Sequence, residues 1–219
     1  MKKLQKTENL VTHVFETHAT EYDKWYARYP FVFQSEVEAI RSMLPPGNSF
    51  GIEVGLGTGR FAEALGIKEG VEPSPAMRAI ASNKGIEVME GFAESLPFKD
   101  LHFNFVLMSS CISYFRELHP AFKEANRVLK QGGSLVVGFV EKNSPIGKYY
   151  EQMRHESTFY KTAIFYSVEK VLDELKNAGF VAFETSQTLF NFLDDIESFE
   201  PAQPGYGKGS FVVIKAIKK

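Results

Sequence analysis

Three glycines at alternate positions, Gly55, Gly57 and Gly59, follow a short apolar stretch that carries a carboxylate, Glu53. Ile52 and Val54 flank that carboxylate as β-formers, and Arg60 and Phe61 open a helical pattern. Glycine belongs where the backbone must take φ > 0 or let a ligand come to contact distance. Placed between a strand and a helix, such a turn exposes backbone N–H groups to a polar or anionic ligand group. A second carboxylate, Glu72, ends the next strand-like run, where it can accept two hydrogen bonds from a ribose diol. Together these residues predict a nucleotide-like cofactor lying over the strand ends.

The spacing narrows the choice of cofactor. In the dinucleotide fingerprint G-x-G-x-x-G/A, the third small residue lets helix and strand pack around a pyrophosphate. Here Arg60 holds that position and the glycine sits one earlier. No Gly-Lys-Ser/Thr follows, which excludes a P-loop. The string Glu53-Val54-Gly55-x-Gly57-Thr58-Gly59 resembles motif I of the class I S-adenosylmethionine (SAM)-dependent methyltransferases. Further along, Gly91-Phe92-Ala93-Glu94-Ser95-Leu96-Pro97-Phe98 is similar to that family's G-D-A-E-x-L-P-F segment, with Phe92 at the Asp position. Arg127-Val128-Leu129-Lys130-x-Gly132-Gly133 resembles its R-V-L-K-P-G-G, with Gln131 for Pro. Phe15, Ala19, Tyr22, Asp23, Trp25 and Tyr26 resemble the N-terminal lid of its small-molecule members. The resemblance covers residues 15–140 by motif and the remainder by strand order, and it is to the broad group that includes the ubiquinone-biosynthesis-type and small amine methyltransferases.

That resemblance implies an α/β, Rossmann-like sheet of seven mostly parallel strands, helices on both faces, and a C-terminal antiparallel hairpin of strands six and seven. It implies SAM as cofactor and S-adenosylhomocysteine as product. Glycines 55, 57 and 59 would shape the loop that admits the methionyl moiety, and Glu53 would orient the loop or reach the amino group through water. Glu72 would take the ribose, while Met77, Phe92 and Ala93 bound the adenine. Ser109 and Tyr22 would approach the methionyl end. The acceptor would lie beneath lids formed by the helical segment 1–47 and by insertions at 141–166 and 188–208, all within one domain.

The elements that must position these residues are legible in the apolar periodicity. Helical spacing spans residues 11–44, with a break at Tyr29-Pro30 and a stop at Pro45-Pro46-Gly47. The apolar runs at 51–54, 68–72, 86–90, 103–108, 134–140, 180–186 and 210–217 read as strands. Helices fit 61–65, a segment after Ser74, 120–130 and 168–178. Only twelve residues lie between Gly59 and Glu72, so the first crossover helix must be short.

Composition bounds the function. Twenty Phe and nine Tyr exceed the needs of an ordinary core, and an aromatic-lined pocket is one use for the excess. A net charge of −2 without a basic run gives no footprint for nucleic acid. The single cysteine, Cys111, excludes an internal disulfide and fits a reducing cytoplasm. The stretch from Met1 to Lys6 lacks a signal-like apolar core, and no run reaches membrane-spanning length. No His, Cys or acid spacing suits a metal.

A sulfonium methyl is already activated, so the protein must mainly align an acceptor and exclude water. A base is needed only for a protonated acceptor, and His155 and Tyr22 are the candidates for it. The reading is transfer of a methyl group to N or O of a small molecule, with an aromatic or cationic amine favoured by the aromatic lids and by the acids at 194–200. The alternatives are a nicotinamide-dependent oxidoreductase, against which Arg60 argues, and a non-catalytic SAM-binding module, suggested by Phe92 and Asn104.

Overall fold

The computed structural model describes residues 2–47, 49–115 and 117–219, with side chains from Thr12 onward. Met1 and the side chain of Val11, where the helical spacing begins, lie outside the described residues.

Two helices precede the sheet. Helix α1 (Lys2–Arg28) is interrupted at His18, whose φ of −116° and ψ of 22° are not helical. One residue earlier the Thr17 hydroxyl donates to the His13 carbonyl at 2.8 Å, a back-bond that competes with the helical ladder and bends it. Helix α2 (Pro30–Arg41) starts on Pro30, whose missing N–H and fixed φ suit the first helical position.

Strands β1 (Gly51–Val54), β2 (Glu69–Val71) and β3 (Glu87–Met89) alternate with the short helix α3 (Arg60–Leu65) and with α4 (Pro75–Ser82). Then follow β4 (Phe103–Ser109), α5 (Leu118–Val128), β5 (Leu129–Val140), α6 (Pro145–Met153), α7 (Val168–Asn177), β6 (Phe180–Thr188), β7 (Gln203–Pro204) and β8 (Phe211–Lys218). They form one sheet in the order β3-β2-β1-β4-β5-β8-β6-β7. The strands from β1 to β5 pair in parallel, while β8 runs antiparallel between β5 and β6. The reversed C-terminal pair expected from sequence is therefore β6 with β8, and a two-residue strand, β7, is added at the β6 edge. Strand β5 begins at Leu129 rather than at Ser134, because Leu129 pairs with Phe103 before the register shifts ahead of the Phe105–Ser134 pair.

Alternation along the central strands sends side chains into two cores. Val106 and Met108 of β4 face Phe122 and Ala125 of α5 and Val171 and Leu175 of α7. Phe105 and Leu107 face the other way, with Ile40 of α2, Phe61 of α3 and Ile146 of α6. Covering both faces fixes the register, since a one-residue slip would exchange the two sets of side chains. Among the described residues no helix is long and apolar enough to cross a membrane.

The chain starts at β1, adds β2 and β3 on one side, and returns to place β4 and β5 on the other. The C-terminal ends of β1 and β4 thus flank a topological switch point, where open parallel sheets leave a crevice. Gly59 helps to close the packing beneath it. It caps α3 with φ of 78°, and a Cβ there would stand 2.6 Å from Ile86 Cδ1 and 3.0 Å from Ala81 Cβ. Gly59→Ala is therefore expected to cost roughly 2–4 kcal/mol, from left-handed backbone strain and overpacking together. Thermal denaturation would show it as a lowered melting temperature, and an unchanged melt would contradict the packing role.

Candidate functional site

The ends of four strands converge on one cavity of about 320 Å³. Gly55 and Gly57 come from the turn after β1, Glu72 from the end of β2, and Phe92, Ala93 and Glu94 from the segment after β3. Ser109, Ser110 and Cys111 come from the end of β4. Helix α1 lays Phe15 and Tyr22 across the opening, and residues Thr162 and Ile164 approach from the insertion after β5.

Glu72 is held by backbone. The Gly57 N–H donates to its Oε2 at 3.0 Å and the Ser74 N–H to its Oε1 at 2.9 Å. Each carboxyl oxygen keeps a lone-pair direction free of these bonds. The Arg78 guanidinium binds the Glu72 and Pro73 carbonyls at 2.9 and 2.8 Å, which fixes the turn that carries the carboxyl. Burial pushes the Glu72 carboxyl up to about 7, although the two amides and Arg78 pull it down. Gly57 has φ of 55°, and a Cβ there would lie 3.7 Å from the Tyr22 ring, on the cavity side.

Glu53 lies fully buried beneath the glycine turn and does not line the cavity itself. Its Oε1 makes a short hydrogen bond with the Ser109 hydroxyl, which connects it to the cavity wall. Its Oε2 is buried and makes no hydrogen bond of normal geometry. Burial raises this carboxyl to about 8, against the lowering influence of Ser109 and the Ala62 amide and with a further push from Glu72. Cys111 is buried with its thiol on the Val54 carbonyl at 3.2 Å, and burial pushes it well above the ordinary thiol range. It is a packing residue on the cavity wall.

Of the residues singled out from sequence, Tyr22, Gly55, Gly57, Glu72, Met77, Phe92, Ala93 and Ser109 meet in this cavity. Phe92 presents an exposed ring there, 41% accessible, while Met77 is buried at 1%. Gly59 does not reach the cavity, because its place is against Ile86 and Ala81. His155 corrects the expectation of a base: it is exposed past the end of α6 and borders neither cavity described here. The Tyr22 hydroxyl pairs with that of Tyr26 at 2.9 Å, and burial raises it well above the usual phenol range, so it makes a poor proton acceptor at neutral pH. The segment 188–208 contributes no wall to either cavity, and Asp194, Asp195 and Glu197 are exposed.

Two features escaped the motif reading. Ser110 stands at φ of 50°, an uncommon conformation for a side-chain-bearing residue, directly at the cavity. Glu36 lies in a smaller adjoining chamber of about 100 Å³. The second was visible in the spacing: Val32, Glu36 and Ile40 share one face of α2, so a carboxyl sits where the helix stripe calls for an apolar residue.

Comparison with known proteins agrees with this geometry. Residues 52–137 match a family described as a methyltransferase domain. A Thermotoga maritima crystal structure, described as a SAM-dependent methyltransferase and possible histamine N-methyltransferase, superposes with a TM-score of 0.92 at 44% identity. That alignment covers 95% of this chain and all of the other. An uncharacterised Methanocaldococcus jannaschii protein is 40% identical over 94% of this chain and 99% of its own length. The demethylmenaquinone methyltransferase of Chlorobaculum tepidum is 34% identical over 62% of this chain and 69% of its own length.

The buried carboxyls give the free protein a characteristic pH response. Glu53 and Glu72 have folded-state values of about 8 and about 7, above the ordinary 4.5, so folding favours their protonated forms. The stability tied to those protons is complete below about pH 4.5 and is lost as pH rises through about 7 and 8. Melting temperatures of the ligand-free protein should fall between about pH 5 and about pH 8.5, and Glu53→Gln should flatten that fall. Identical slopes in both proteins would show that Glu53 is ionised throughout.

Proposed function

This chain belongs to the SAM-dependent methyltransferases, and we propose that it transfers a methyl group to a nitrogen or oxygen atom of a small molecule. The observation that carries the reading is the meeting of Glu72 with the Gly57 amide at the switch point, inside a cavity whose lining, among the described residues, includes no Lys, Arg or His. SAM is the cofactor of the family, and the residues present fit it. A cation bearing a ribose diol finds a two-oxygen acceptor in Glu72, apolar walls in Phe92 and Met77, and the Ser109 hydroxyl, which is bonded to the buried Glu53 carboxyl.

In this reading Glu72 takes the ribose hydroxyls on the lone pairs left by Gly57 and Ser74. Phe92, Met77 and Ala93 bound the adenine, and Phe92 offers apolar contact where an Asp would offer a hydrogen bond. Gly57 keeps the approach to the backbone open, and Glu53 acts through Ser109 at the methionyl end. When bound, SAM supplies a methyl group on a sulfonium, whose leaving group is a neutral thioether. The chain therefore has to bring the acceptor to about 3–3.5 Å in line with that bond and to keep water out. Phe15 and Tyr22 from α1 and Ile164 from the insertion form the cover, with Phe15 packed edge-on against Tyr114 at 4.8 Å between ring centres. In this reading the chain is one domain, with the helical segment 1–47 and the insertion 141–166 as lids.

Calorimetric titration with SAM, S-adenosylhomocysteine and NADH tests the cofactor reading. SAM and its product should bind and NADH should not. Glu72→Gln should weaken both by roughly 10–100-fold, as expected for hydrogen bonds to a charged acceptor. Binding of NADH alone, or unchanged SAM affinity in the variant, would overturn the assignment.

A further inference from the structure

The smaller chamber shares Tyr22, Ser110, Ser113 and Tyr114 with the cofactor cavity, so one occupant can extend between the two. Three separate elements supply aromatic walls: Tyr22, Trp25 and Tyr26 from α1, Tyr150 from α6, and Tyr160 from the turn after it. Tyr150 and Tyr160 lie 4.3 Å apart between ring centres, and Trp25 and Tyr26 lie edge to face at 5.3 Å. Against these rings stands Glu36, 4% exposed.

The Glu36 carboxyl makes no hydrogen bond or ion pair among the described residues. The titratable groups that face it are neutral phenols, namely Tyr22 and Tyr26 of α1, Tyr150 of α6 and Tyr160. Burial alone lifts it to about 8. An unpaired buried acid is costly, and its retention on the apolar stripe of α2 asks for a partner that the chain does not contain. Among the described residues, the lining of the inner chamber holds Glu36 and no basic side chain. Aromatic faces attract cations, most strongly when water is excluded.

We propose that this inner chamber holds the ammonium end of a small amine acceptor, with Glu36 as its counter-ion and the surrounding rings as its walls. The word acceptor rests on the methyltransferase reading; the cation chamber rests on its own geometry. A carboxylate ligand would meet only like charge there, and a neutral alcohol would leave Glu36 without a counter-ion. The chamber is small enough to suit the head of a ligand whose remainder lies toward Ser110 and Tyr114.

A charge-matched series tests the proposal: 2-phenylethylamine, 2-phenylethanol and phenylacetate, titrated by calorimetry with and without saturating S-adenosylhomocysteine. The amine should bind the wild-type protein at least about tenfold more tightly than the alcohol, and phenylacetate should bind most weakly. Glu36→Gln should remove that preference while leaving the alcohol and S-adenosylhomocysteine affinities unchanged. Near neutral pH, titrations in buffers of different ionisation enthalpy should show proton release on amine binding to the wild type and none in the variant. Tyr160→Leu, which keeps an apolar wall but removes a ring, should lower amine affinity selectively and serves if Glu36→Gln fails to fold. Equal binding of amine and alcohol, no amine binding, or an undiminished preference in the variants would overturn the proposal. Loss of the S-adenosylhomocysteine response with the amine preference intact would instead overturn the cofactor reading and leave the cation chamber standing.

Discussion

Three carboxyl groups, Glu36 and Glu72 in the cavity walls and Glu53 beneath the glycine turn, are buried without an ion pair among the described residues. Removing a charge from water without a partner is among the costliest acts in folding, so such groups hold their protons until a cation arrives. The values of about 8, 8 and 7 express that state. In the proposed function the same three residues prepare the interior for positively charged ligands. The fold bears the desolvation cost in advance, and ligand charge offsets it on binding.

The cover over this interior is held by charge on its outer side. Asp23 of α1 receives the Arg60 guanidinium at the start of α3 through Nε at 2.8 Å, and the Lys84 ammonium at 3.1 Å. Lys84 also donates to the Thr58 carbonyl at 2.8 Å, inside the glycine turn. Burial opposes ionisation of Asp23, yet these partners outweigh it and hold the carboxyl down at about 2. Farther along α1, Glu16 accepts from the Ser74 hydroxyl and the Ala76 N–H at 2.7 and 2.8 Å. The lid helix is thus pinned both to the turn after β1 and to the turn that carries Glu72. Arg60, which disqualified the dinucleotide fingerprint, has a structural use as the anchor of that lid.

Legibility in the sequence followed the range of the interactions. The strand, glycine turn and Glu72 were readable because strand, turn and cap are decided within a dozen residues. The Ser74 hydroxyl accepting from the Met77 N–H is one such local signal. The central strands were readable because β4 is apolar on both faces. What escaped depends on distant partners. The bonding of Leu129 to Phe103 extends β5 beyond its apolar run. The chamber around Glu36 needs α1, α2, α6 and the turn at Tyr160 together, although the misplaced acid on the stripe of α2 was a local clue. The acids at 194–197 looked like ligand groups in sequence, yet they face solvent. His155 was singled out by residue type and by its place in the insertion 141–166, and neither carries information about direction.

The position of the cofactor decides the roles of these carboxyls, and a crystal structure with S-adenosylhomocysteine measures it directly. The predicted result places the ribose hydroxyls on Glu72, the adenine against Phe92 and Met77, and the amino acid end toward Gly55, Gly57 and Ser109. A ligand bound elsewhere, or one that leaves Glu72 with only its bonds to Gly57 and Ser74, would contradict it.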